Sequence, residues 1–274
     1  MRYASFRRNG RDGVGLVEGD TVVPLEGIER ISSAVGTDAL ASARRRDDQA
    51  VSLEEVALLP ASPAPNRILC VGLNYKGHIL ETGRELPTYP VLFAKFASNL
   101  VGARDDIRLP AESSQVDYEG ELALVIGRGG RRIAEEDALA HVLGFTVSND
   151  VTMRDFQYKT HQWIQGKAWD DSTPVGPFIV TPDEVDLDGA RLRTTVNGQV
   201  VQDDSVGDLL FTVPTLIAQI STFTRLEPGD LILTGTPGGV GYRRDPQLFL
   251  GAGDVAGVEI DGIGSITNTV VPEA

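Results

Sequence analysis

The sequence predicts a mixed β or α+β fold, and three observations lead there. Candidate strands outnumber candidate helices, the two do not alternate as regular βαβ units, and turn residues recur through the chain. A chain of 274 residues with 41% hydrophobic and 23% charged content can bury a sizeable core in one large domain, or in one large and one small.

Residues 1–60 alternate short β-like pieces with turns such as Arg11-Asp12-Gly13 and Glu18-Gly19-Asp20, and are expected to form a small β-rich N-terminal domain. The basic run Arg44-Arg45-Arg46 is followed at once by Asp47 and Asp48, the pattern of a solvated helix face rather than a binding patch. Pro60, Pro63 and Pro65 stiffen a connector, so a linker is expected over 61–67 and the main body over 68–274. In that body Arg67 to Gly72, Tyr89 to Lys95, residues 119–127 and residues 142–148 are buried-strand candidates, and Ile133 to His141 is a short connecting helix. Val196-Asn197-Gly198-Gln199 carries the Asn-Gly pair that suits the positive dihedrals of a type I′ hairpin turn. Val213 to Ile220 reads as a helix with proline in its first turn, and Leu231 to Thr234 as a buried strand.

The formal charge of −14, from 39 acidic and 25 basic residues, opposes electrostatic binding to nucleic acid or to an anionic membrane. The single cysteine, Cys70, has no partner for an intrachain disulfide. No apolar run reaches about 18 residues, and the first residues lack an apolar signal core, so the sequence leads to a cytoplasmic expectation.

Chemistry concentrates at five places. In Asp117-Tyr118-Glu119-Gly120-Glu121, the strand period turns Glu119 and Glu121 to one face, while Leu122, Leu124 and Ile126 face the other way. Adjacent carboxylates repel, and the repulsion is relieved by a shared proton, a cationic partner or a hard metal ion. Asp117, on the same face, could equally pair with an arginine or lysine. Asp150 ends the apolar run Leu143 to Val147; it is either the cap of a helix starting near Thr152 or a third oxygen ligand. An all-carboxylate set of Glu119, Glu121 and Asp150 suits Mg²⁺ or Mn²⁺ far better than Zn²⁺. His78 and Glu81, three apart, share a helix face, which is either an oriented general base or a solvated surface pair. Lys167 lies in a loop-like stretch from Gln165 to Pro177, as an exposed lysine or as a cation beside a developing oxyanion. Gly235-Thr236-Pro237-Gly238-Gly239 lacks the ending of a phosphate loop and reads as a tight turn whose amides and Thr236 meet a small carboxylate.

In order along the chain, Asn74-Tyr75…His78…Glu81, Asp117-Tyr118-Glu119-Gly120-Glu121-Leu122, Asn149-Asp150-Val151-Thr152…Arg154-Asp155, Gly166-Lys167…Asp170…Pro174-Val175-Gly176-Pro177 and Thr234-Gly235-Thr236-Pro237 resemble the fumarylacetoacetate hydrolase family. The resemblance runs from about residue 66 to the C-terminus. It implies a mixed β-roll core, a homodimer, a bound Mg²⁺ or Mn²⁺ without an organic cofactor, and a place in aromatic catabolism. It makes Glu119, Glu121 and Asp150 the metal ligands, His78 and Glu81 the base pair, Lys167 the oxyanion partner and Thr236 a contact to the substrate carboxylate. Ala168-Trp169 stands where many members have Ser-Phe, a departure that bears on the substrate more than on the metal. The function expected is metal-dependent hydrolysis of a carbon–carbon bond in a small acylpyruvate-type 1,3-dicarbonyl acid. Decarboxylation of an oxaloacetate-like acid or isomerisation of a hydroxymuconate-like diene would use the same metal-enolate chemistry, and a non-catalytic small-acid binding protein is the alternative from another class.

Overall fold

Every residue of the antiparallel strands Gly120–Ile126 and Val142–Asn149 is buried, so the pair is covered on both faces and lies at the centre of the molecule. The computed structural model describes residues 1–33, 37–81 and 85–273, apart from the side chains of residues 33, 37, 38, 78, 80 and 81.

The central pair belongs to a mixed twelve-stranded sheet. From one edge the order is Val51–Ser52, Thr21–Pro24, Arg11–Glu18, Arg2–Arg8, Thr173–Val180, Val142–Asn149, Gly120–Ile126, Leu231–Leu233, Ile68–Gly72 and Val91–Lys95. Ala57–Leu58 and Leu100–Val101 pair off this path, and the N-terminal strands join the sheet where Arg2–Arg8 meets Thr173–Val180. A second sheet of five strands runs Gln199–Ser205, Arg191–Val196, Val255–Ile260, Gly264–Pro272 and Ile107–Leu109. A short ladder of Val116–Asp117 with Thr152–Met153 sits beside the charged cluster described below.

The period-2 pattern of the central strand divides its side chains between two cores. Leu122, Leu124 and Ile126 pack with Phe145, Leu192, Val258 and Ile260, and with Leu216, Ile217 and Ile220 of helix Val213–Phe223. Ala123 and Val125 pack on the other face with Leu231, Leu233, Ile68 and Cys70. That helix starts as its sequence predicts: Pro214 lies in the first turn, and the Thr212 hydroxyl accepts a hydrogen bond from the Thr215 N–H at 3.4 Å. The Asn197-Gly198 hairpin is also as expected, with φ of 52° and 78°.

The short connecting helix expected before Val142 is present over Glu135–His141 and is of the 3₁₀ type. Other local expectations are revised. The basic run is not a helix face, because helix Thr37–Ala41 ends first; Arg45 and Arg46 reach Glu18, Glu26, Asp47 and Asp48 as exposed ion pairs. Gln165 to Pro177 is only in part a loop, since Ile164–Lys167 makes a helical turn and Thr173–Val180 is a strand.

Leu124, buried in the face shared with helix Val213–Phe223, reports on this packing. Leu124→Ala is expected to lower the unfolding free energy by about 2–5 kcal/mol, read from the midpoint of a denaturant titration with unchanged slope.

Candidate metal centre and cleft

Strand register brings the acids together. Gly120 pairs with Asn149 and Glu121 with Ser148, so the ends of the two central strands deliver Glu119 beside Asp150. Two backbone contacts lock the junction: the Asp150 N–H donates to the Glu119 carbonyl at 2.8 Å, and the Glu119 N–H donates to Asn149 Oδ1 at 2.9 Å. Each of Glu119, Glu121 and Asp150 offers a carboxylate oxygen within 4.8 Å of the others, and all three residues are buried. The third neighbouring chain segment follows strand Leu231–Leu233, where the Gly235 N–H donates to Glu121 Oε2 at 2.8 Å. Gly235 is needed there: its φ is 102°, and a Cβ would press on Asn74 and the Val71 carbonyl.

Three buried cations answer the acids. Lys167 Nζ donates to Glu119 Oε2 and to Asp150 Oδ2, both at 2.7 Å. Lys95 Nζ lies 2.8 Å from Asp150 Oδ1, but its hydrogen bonds run to Thr173 Oγ1 and to the carbonyls of Val151 and Lys167. Arg154 Nε donates to Asp117 Oδ2 at 2.8 Å, and its Nη2 lies 2.7 Å from Glu119 Oε1 without hydrogen-bond alignment. Asp117 also accepts from the N–H groups of Tyr118, Gly241 and Tyr242. It is the counter-ion of Arg154 and the anchor of the Gly241 loop.

Protonation follows from these contacts. Burial alone would raise the Asp150 carboxyl, but Lys167 and Lys95 outweigh it and hold it below the usual range. Lys167 loses solvation, yet Asp150 and Glu119 outweigh that loss and keep its ammonium more strongly protonated than a free lysine. Glu121 goes the other way. Burial first, then Asp150 and Glu119, push its carboxyl well above the ordinary value, and among the described residues it has no ion pair. Its protonated form is therefore favoured by the surroundings that the fold gives it. A divalent cation fits this site: Asp150 Oδ1 is a buried carboxylate oxygen with no aligned hydrogen bond, Glu121 is buried beside two carboxylates with no ion pair among the described residues, and every donor is a hard oxygen.

Over the cluster opens a cleft of about 60 Å³, lined by Glu119, Arg154, Lys167, Thr236, Trp163 and Arg243 among others. Lys167 is 2% exposed, so it is a buried cation of the cluster and not a loop-surface lysine. Thr236 is on the cleft wall, but its hydroxyl donates to the Gly120 carbonyl at 2.9 Å and accepts from Gln202 Nε2 at 2.8 Å. The glycine-turn amides do meet carboxylates, those of Glu121 and Asp117. Asp150 is not a helix cap, since the following helix Arg154–Gln157 has Met153 in that position. His78 and Glu81 belong to helix Lys76–Glu81, and their side chains lie outside the described residues. Sequence reasoning missed Lys95. A lysine ending an apolar strand candidate was the available signal, and its two assignments, to Asp150 and to the Lys167 backbone, need the fold to be seen.

The family described as Fumarylacetoacetate (FAA) hydrolase C-terminal matches residues 67–271. This chain belongs to the fumarylacetoacetate hydrolase family. Residues 1–60 match a second description, Rv2993c-like, N-terminal. Among relatives of known name, the mitochondrial oxaloacetate tautomerase fahd2 of Xenopus laevis is 42% identical over 288 aligned positions, covering 99% of this chain and 90% of the frog protein. The human mitochondrial oxaloacetate tautomerase FAHD2A is 45% identical over 220 positions, covering 79% of this chain and 70% of its own. The solved structure of 5-carboxymethyl-2-hydroxymuconate delta-isomerase from Mycobacterium smegmatis superposes with a TM-score of 0.86 at 33% identity, covering all of both chains. The named relatives thus include tautomerases and isomerases, and the fold is the family's mixed-sheet type with an N-terminal Rv2993c-like part.

The cytoplasmic expectation is corrected by these relatives, since the frog and human tautomerases are mitochondrial. A lone cysteine and the lack of an apolar span are equally compatible with the interior of an organelle, so they could not separate the two compartments.

Glu121 separates metal binding from folding. In the metal-free protein its raised carboxyl favours folding fully only below the unfolded value of about 4.3, and that contribution is lost as pH rises through the folded value. Glu121→Gln is expected to abolish Mn²⁺ binding in titration calorimetry while leaving the melting temperature in chelator unchanged or higher. The wild type should release a proton on binding Mn²⁺, seen as a dependence of the heat on buffer ionisation enthalpy.

Proposed function

We propose that this chain is a divalent-metal-dependent enzyme that interconverts the keto and enol forms of a small 2-oxo diacid of the oxaloacetate class. The observation that carries the reading is the pairing of an under-compensated carboxylate triad, whose Glu119 lines one small cleft, with two permanent cations, Arg154 and Lys167, that line the same cleft. The relative matched over almost the whole chain is named for oxaloacetate tautomerisation, and a structural neighbour for a hydroxymuconate isomerisation. Both reactions move a proton between carbon and a conjugated 2-oxo acid, through an enolate.

In tautomerisation one proton leaves C3, the C–H electron pair becomes the C2–C3 double bond, and the carbonyl oxygen gains a proton. No water is consumed and no carbon is lost. A divalent cation on Glu119, Glu121 and Asp150 would supply Lewis-acid stabilisation of the charge developing on the substrate oxygens. Lys167 is held as an ammonium by its two carboxylates, so its part is to donate hydrogen bonds to that charge and not to accept the proton. Arg154 Nη2, buried and not aligned to Glu119, has a donor to turn toward a substrate oxygen. His78 and Glu81, on the helix that follows the cleft-lining Gly72 and Leu73, are assigned the proton at C3. Hydrolysis of an acylpyruvate is the second reading, favoured by the family match itself, and it would pass through the same enolate after attack by water.

Wild type is expected to speed deuterium exchange at C3 of oxaloacetate in the presence of Mg²⁺ or Mn²⁺, with chelator returning it to the uncatalysed rate. Lys167→Gln should lower the rate by roughly a hundred- to a thousandfold. Acetylpyruvate should exchange without cleavage; release of acetate and pyruvate at a comparable rate would give the site to hydrolysis, and exchange that persists in chelator would end the metal-dependent reading.

A further inference from the structure

Two adjacent arginines leave the Gly241 loop in different directions. Arg244, exposed too, is tethered: its Nη1 donates to the Val201 carbonyl at 3.2 Å. Arg243 is exposed and lines the same cleft as Glu119, Arg154, Lys167 and Thr236. Among the described residues its guanidinium makes no ion pair or hydrogen bond, and its recorded side-chain contact is the Tyr242 ring, 5.4 Å from Cζ. Some surface arginines, such as Arg7, Arg45 and Arg191, are neutralised by Asp12, Glu18 and Asp203, while exposed Arg104, Arg108 and Arg225 have no ion pair among the described residues but do not line this cleft.

The backbone under Arg243 is held firmly even though its head group is free. The Gly241 and Tyr242 N–H groups donate to the two oxygens of Asp117 at 2.7 and 3.0 Å, and the same carboxylate holds Arg154. The Arg243 N–H donates to the Val240 carbonyl at 3.0 Å, and Tyr242 packs on Tyr158 with ring centroids 5.1 Å apart. Asp117 thereby ties a rim cation to a floor cation. A substrate whose reacting end lies against Arg154 and Lys167 presents its far end toward the rim, where a planar guanidinium suits bidentate pairing with a carboxylate.

We propose that Arg243 binds the distal carboxylate of the substrate and makes the enzyme select dicarboxylates over monocarboxylates. The choice of probe rests on the proposed function; the selectivity itself is read by binding, without turnover. Oxaloacetate and 2-oxobutyrate differ in having a carboxylate or a methyl at the same end, and both can be titrated into the Mg²⁺-loaded protein and followed for deuterium exchange at C3. Arg243→Gln should weaken oxaloacetate binding roughly tenfold or more. It should leave 2-oxobutyrate binding and the melting temperature unchanged, and Arg243→Lys should restore part of the loss. Equal losses for both acids, or no loss for either, would overturn the assignment. If oxaloacetate binds selectively, loses that selectivity in Arg243→Gln and yet shows no exchange, Arg243 keeps its role and the tautomerase reading falls. If wild type exchanges oxaloacetate and Arg243→Gln keeps the selectivity, the tautomerase reading stands and Arg243 loses its role.

Discussion

The antiparallel register that sets Gly120 opposite Asn149 forces Glu119 against Asp150 at the end of two strands with no solvent on either face. Everything around the site answers that crowding. Buried carboxylates without partners cost several kcal/mol each, so the fold recruits Lys95 from the end of the edge strand Val91–Lys95, Lys167 from the end of a helical turn, and Arg154 from the start of a short helix. Asp117 then balances Arg154, and in doing so pins the loop that forms the cleft rim. The accounting stops one positive charge short. Glu121 is left without a cation among the described residues, and that deficit gives the cluster room for a divalent cation.

The carboxylate cluster was legible from sequence because two local rules converge on it. Strand period placed Glu119 and Glu121 on one face, and an acid at the end of an apolar run put Asp150 at a strand end. Both rules act over a few residues. The alternation of Leu122, Leu124 and Ile126 against Ala123 and Val125 was legible for the same reason, and it maps onto two separate cores. The only local signal for Lys95 is a lysine at the end of an apolar strand candidate. Its partners lie far along the chain, at Asp150, Val151 and the Lys167 carbonyl. Past Leu233, amides are expected to meet a small carboxylate, and those of Gly235 and Gly241 meet the side chains of Glu121 and Asp117. The sequence leaves Lys167 open between an exposed lysine and a site cation, because the tertiary charge pairing that draws it into the interior is not visible locally.

The cation network also separates positioning from chemistry. Lys95 is tied to the backbone of one cluster member and the side chain of another, so it fixes where Lys167 and Asp150 stand relative to each other. Lys167 and Arg154 reach the cleft, Lys95 is not among its lining residues. Such a division suits a site that must hold its charges still while the charge of the substrate changes, since preorganised donors need no rearrangement as an enolate forms.

That logic explains why one motif set accompanies several reaction names. Tautomerisation, diene isomerisation, decarboxylation and carbon–carbon hydrolysis of 2-oxo acids all pass through an enolate, and the floor of this cleft answers only to that shared species. What distinguishes the reactions is what lies at the other end of the substrate and whether water is admitted, and both are decided at the rim. The rim here is built from Tyr158, Trp163, Tyr242 and Arg243, residues outside the carboxylate motifs. Family membership can therefore be read from the floor, whereas reaction identity has to be argued from the rim, where an exposed guanidinium held over an anion-tuned cleft favours a substrate with a second negative charge.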